Sequence, residues 1–75
     1  MILLERNKSE NARAYALRVL NYNIVTLELE PGTLVSENDI SAALGLSRTP
    51  VREALIELSK NHLVDIIPQT GSYVS

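Results

Sequence analysis

The sequence contains no cysteine and a single histidine, His62. No disulfide or thiolate metal site can brace the chain, and a multi-histidine zinc site is excluded. No apolar run approaches the roughly 20 residues that a membrane-spanning helix needs. The opening "MILLERNKSE" turns polar after Leu4, too early for a signal peptide. A Gly-rich phosphate loop, internal repeats and low-complexity tracts are also lacking. An enzyme is therefore not expected. Nor is a cofactor in this domain, or a membrane partner, and a cytoplasmic protein is the default reading. His62 reads as a helix-end residue that favours the dipole, and the i,i+4 pair Glu53 and Glu57 as solvated carboxylates rather than a metal site.

A basic excess is missing too. Seven Lys plus Arg stand against nine Asp plus Glu, for a net charge of −2. That lowers the prior for a nucleic-acid partner, but distribution matters more than the sum. Arg48 and Arg52 fall early in the stretch Ser47 to Lys60, whereas Glu53 and Glu57 fall later and at other helical angles. Hydrophobic content of 45% is that of a globular chain. A single small domain of this size buries only about 60–65% of its unfolded surface.

Along the chain, residues 1–8 read as a flexible or partner-dependent lead and residues 9–75 as the domain. Ser9 is placed to cap a helix from about Glu10 to Leu27. Ala16, Leu20, Asn23, Ile24 and Leu27 form one helical stripe with a polar interruption, and Tyr15, Val19 and Tyr22 form a second. That second stripe suggests packing against something outside the domain. Pro31-Gly32 marks a turn. Leu34–Val35 then suits a short strand, and Ser36 a cap for a second helix whose inward face is Ile40, Ala43 and Leu44. Gly45 stops that helix, and Ser47 caps a third that ends near Asn61. "LVDII", "PQTG" and "SYVS" then read as a β-hairpin. The predicted fold is mainly α with a small β-hairpin: a winged helix-turn-helix of three helices plus a wing, with the recognition helix at about 47–61 and the wing at about 64–74.

The stretch "LSRTPVREAL" begins the third helix. Val51, Ala54, Leu55 and Leu58 must face the core, so Arg48, Thr49 and Arg52 fall off the buried stripe, as does Ile56. In a helix-turn-helix this helix start meets base edges in the major groove. Arginine can fork onto guanine O6 and N7, and a threonine methyl can touch thymine. Ser47 and Thr49 hydroxyls, with the free N–H groups of the helix start, suit phosphate. The plainer alternative makes both arginines solvated surface groups, with Arg52 paired to a nearby carboxylate. The short turn, Pro50 in the first turn and the wing weigh towards DNA.

The segment "PGTLVSENDISAALGLSRTPVREALIELSKNHLV…PQTGSYV" resembles the DNA-binding domain of the GntR family of bacterial transcription regulators, its FadR-like subgroup in particular. The resemblance covers roughly residues 12–75 and is most specific at "SRTPVREAL". It implies a winged helix domain that binds a palindromic operator as a homodimer. It also implies a C-terminal domain, absent from this chain, that binds a small-molecule effector, often an organic acid; a fragment of a longer regulator is the expectation. By position Arg48, Thr49 and Arg52 match base and phosphate contacts. Ser36 and Ser47 match helix-start phosphate contacts, and Gly71 the wing-tip glycine near the minor groove. Asn38 stands where the family usually has an arginine, and Thr70 where a basic wing residue is common. Ile56 and Glu57 replace frequent arginines, and His62 a usual glycine. These departures imply an operator affinity below the family norm or a different base preference. The alternative reading is a winged helix that binds protein, favoured by the acidic balance and by Ile56.

Overall fold

Local chemistry sets where each element begins. The computed structural model describes residues 1–75, with helices α1 (Ala12–Val25), α2 (Glu37–Leu44) and α3 (Arg48–Lys60). Its strands are β1 (Leu34–Val35), β2 (Val64–Ile67) and β3 (Gly71–Val74). This is the expected winged helix-turn-helix. Helix α1 starts later than predicted and is capped by Asn11, not Ser9: Asn11 Oδ1 accepts the Ala14 N–H at 2.8 Å. Asn and Ser cap about equally well. Glu10 decides the outcome, because its carboxylate takes the Asn7 N–H and the Arg18 guanidinium, closing a separate turn before the helix. The helix also ends earlier, at Val25, with Leu27 beyond it at φ 63°.

Helix α2 begins as expected, Ser36 Oγ accepting the Asp39 N–H at 3.2 Å. Its inward face differs: Ile40 and Ser41 are buried, whereas Ala43 is exposed. Gly45 ends it at φ 68°, ψ 34°, and the N–H groups of Gly45 and Leu46 both donate to the Ser41 carbonyl. That left-handed residue lets the chain reverse in two residues and start α3 at once.

The core takes Ala16, Leu20 and Ile24 from α1, Ile40 from α2, and Val51, Ala54, Leu55 and Leu58 from α3; Val35, Val64 and Val74 close it from the sheet. The strands are antiparallel in the order β1-β3-β2. β1 shields one edge of β3 through Leu34 opposite Tyr73 and Val35 opposite Ser72.

The N-terminal lead is not free. It runs as a strap along α1. The Ile2 N–H donates to Asn23 Oδ1 at 2.6 Å, and Asn23 Nδ2 donates to the Ile2 and Val19 carbonyls, each at 2.8 Å. Tyr15 Oη donates to the Leu4 carbonyl and Arg18 Nη2 to that of Glu5, each at 2.6 Å. Arg6 and Arg18 also lie over the Tyr15 ring, 5.9 and 5.8 Å from its centroid. The second apolar stripe therefore needs no external partner at Tyr15 and Val19, which are buried, and only Tyr22 stays exposed. Asn23, expected as a polar interruption, is fully buried because it holds the strap's backbone.

Asn23→Ala should cost about 1–3 kcal/mol, the usual penalty for stripping a buried hydrogen-bonding group. Removal of residues 1–5 should destabilise comparably. Urea denaturation measures both, and unchanged midpoints would mean that the strap contributes nothing.

Acid should release the strap. The hydrogen bond from Arg18, aided by the Asn7 N–H and the nearby Arg18 and Arg6 charges, lowers the Glu10 pKa from 4.5 to about 2. A folded-state value below the unfolded one stabilises fully above pH 4.5, and the contribution fades as pH falls towards 2. NMR signals of residues 1–8 should shift in that window, whereas Glu10→Gln should show a loosened strap already at neutral pH.

Candidate nucleic-acid interface

The buried stripe of α3 sets what faces outward. Val51, Ala54, Leu55 and Leu58 are all in the core, leaving Arg48, Thr49 and Arg52 exposed on the first turns. Ile56 is exposed as expected, at 41%. Ser47 occupies the cap position with extended backbone, φ −72°, ψ 166°, yet its hydroxyl makes no capping bond. The third helical residue is Pro50, which has no N–H for a cap to accept. The Ser47 hydroxyl and the first N–H groups of α3 are thus left to an outside acceptor.

Beside this helix start lies a concavity of about 310 Å³. Ser36 at the cap of α2, Glu37 and Asn38 on its first turn, Arg48 of α3 and Gly71 and Ser72 of β3 line it with β1. The fold thereby brings Ser36, Asn38, Arg48 and Gly71 together from three chain segments: the start of α2, the start of α3 and β3. Ser47 at the cap of α3, Thr49 and Arg52 on its exposed first turns and Thr70, which precedes Gly71 in the wing, do not line it. The tip is a β-turn closed by the Thr70 N–H on the Ile67 carbonyl at 3.1 Å, with Pro68 second and Gln69 third at φ 64°. That pattern fits a type II turn.

Arg52 is paired across the helix-turn-helix. Its Nε lies 3.2 and 3.3 Å from Glu37 Oε1 and Oε2, and its Nη2 lies 3.1 Å from Oε1. That hydrogen bond and the Glu37 charge raise the Arg52 pKa further above its ordinary value. The plainer reading of Arg52, a partnered surface group, is thus correct as to its partner. Glu37 was missed. As a first-turn acid on α2 it reads only as a complement to the helix dipole.

Residues 15–74 match the family model described as bacterial regulatory proteins, gntR family. The chain belongs to the GntR family. It is the winged helix DNA-binding domain of a GntR-type transcription regulator. It is 45% identical over 73 residues to an uncharacterised HTH-type regulator of Streptomyces ambofaciens, covering 97% of this chain and 30% of that protein. It is 42% identical over 69 residues to the HTH-type transcriptional repressor RspR of Escherichia coli K12, with 92% and 30% covered. The crystal structure of a GntR family regulator from Pseudomonas syringae superposes with a TM-score of 0.82 at 30% identity, over 95% of this chain and 30% of that one. The DNA-binding domain of AraR, solved with operator ORX1, shares the fold at TM-score 0.81 and 19% identity, over 96% and 93%. The chain spans about 30% of the length of these two curated relatives.

The wing gives a test of geometry. Gly71 sits at φ 143°, and a Cβ there would lie 3.0 Å from Leu34 Cδ1 on β1. Gly71→Ala should cost about 1–3 kcal/mol through backbone strain and displace the β1 edge. Thermal melting and amide shifts of residues 34 and 71–73 would report it.

Proposed function

We propose that this domain recognises an operator by placing the start of α3 in the major groove and its wing near the adjacent minor groove. Arg48, Thr49 and Arg52 then face base edges and phosphates. Ser36, Asn38 and Ser47 serve the backbone, and Thr70 and Gly71 the wing contact. One observation carries the reading: the free start of α3, with its two arginines, opens beside the concavity shared by α2 and the wing. Helix-turn-helix proteins use this end of the second helix for base readout.

The full-length regulator is proposed to act as a homodimer on a palindromic operator. A domain that commits two arginines has a shallow salt slope, about −0.9 per phosphate neutralised, so pairing two domains supplies affinity that one lacks. An effector, often an organic acid in the resembling family, is assigned to a C-terminal domain outside these residues. The repressor named among the relatives supports negative control of transcription, and such a regulator acts in the cytoplasm. The exposed Ile56 favours a second reading, a protein-binding winged helix.

Duplexes selected by the chain from a randomised pool define its site. On that site Arg48→Ala and Arg52→Ala should each weaken binding without unfolding the domain. Loss of a base-forking arginine costs roughly 1–3 kcal/mol and relaxes preference at one base pair. Loss of a phosphate-holding arginine lowers all affinities alike and reduces the salt slope by about one. Fluorescence anisotropy at several salt concentrations separates the two. Unchanged binding by the folded double variant would overturn the DNA reading in favour of the protein-binding one.

A further inference from the structure

The Arg52–Glu37 pair has a direction. An arginine carries five N–H donors along two usable edges. Glu37 occupies the side edge, through Nε and Nη2. The end of the guanidinium, Nη1 with the outer hydrogen of Nη2, remains free, and the Arg52 side chain is 57% exposed. Glu37 is itself only 31% exposed and sits on the first turn of α2, a separate rigid element.

We propose that Glu37 is a positioning residue that makes Arg52 a reader of guanine rather than of phosphate. This rests on the DNA reading above and deepens it. The guanine major-groove edge presents O6 and N7 as two adjacent acceptors, and an end-on guanidinium meets both at once. A fork already held by a carboxylate loses little freedom on docking. The same carboxylate repels a phosphate brought to Arg52, so the nearest competing ligand is disfavoured. Arg48 makes no ion pair and lines the concavity beside the wing, which Glu37 borders as well.

The test uses the 75-residue chain, the selected duplex and a scrambled one. In Glu37→Ala the preference for the selected duplex should fall about 5- to 150-fold, the range of one bidentate base contact. Affinity for scrambled DNA should rise, and its salt slope should steepen by about one as Arg52 turns to phosphate. Glu37→Gln, which keeps an acceptor without the charge, should restore part of the preference but not the low scrambled affinity. NMR gives a readout without DNA. The Arg52 Nε–H should exchange slowly with water in the folded wild type and fast in Glu37→Ala, with amide spectra as the folding control. A fast-exchanging wild-type Nε–H would overturn the inference. So would an unchanged preference in Glu37→Ala alongside a lost preference in Arg52→Ala, an outcome that leaves the DNA reading standing. If the folded Arg48→Ala/Arg52→Ala variant also binds unchanged, the DNA reading itself fails.

Discussion

The buried stripe of α3 is the constraint on which the other elements depend. Val51, Ala54, Leu55 and Leu58 lie within a narrow arc, and α1, α2 and β2 all pack on that helix. At about 100° per residue, burial of this arc fixes the rotation of the whole helix. Arg48 and Arg52 are turned to one flank by that burial, to which the ion pair with Glu37 adds only at Arg52. Glu53 and Glu57 stand five residues further on, about 140° around the helix, on the other flank. Packing inside the domain thus decides the charge pattern outside it.

Gly45 translates that rotation into a site. Its left-handed conformation makes the chain reverse between α2 and α3 with only Leu46 and Ser47 remaining before α3. The start of α3 is held beside the start of α2, so Glu37 can reach Arg52 and Ser36 can border the same concavity as Arg48. Pro50 adds to this by denying Ser47 its usual capping partner. The core and the turn pre-form this surface.

The parts governed by periodicity were legible in the sequence. The core residues of α3, the Gly45 stop, the Ser36 cap and the hairpin follow from spacing and turn chemistry. The strap was not legible, because backbone groups of residues 2, 4 and 5 are its partners and a backbone carries no sequence signature. Asn23 therefore looked like a defect in an apolar stripe. Ser9 and Asn11 were equally good caps until Glu10 engaged Arg18. Within the site, the outward residues of α3 were legible from phase. The Glu37–Arg52 pair spans 15 positions and depends on the angle between two helices, which no local pattern encodes. His62 is a different case: its φ of 61° gives a physical reason for the glycine usual there in the resembling family.

An acidic domain that binds DNA needs an account of its electrostatics. Net charge governs long-range attraction, and −2 gives none to a polyanion. Of the basic residues, Arg18 is committed to Glu10 at the back of the domain and Arg52 to Glu37 at the front. Arg48 is the unpaired arginine of the α3 start. On the proposed site, a face of this kind should hold weakly to DNA of arbitrary sequence, because few counterions are released there. Its discrimination must then come from geometry, through a guanidinium fork fixed in direction and donors left free at the start of α3. Weak attachment elsewhere in a genome does not impair such a domain, since the ratio of specific to non-specific affinity decides where a regulator resides. In the proposed reading, sparse charge and a constrained arginine serve the same end: the first lowers binding to every sequence, and the second preserves binding to one.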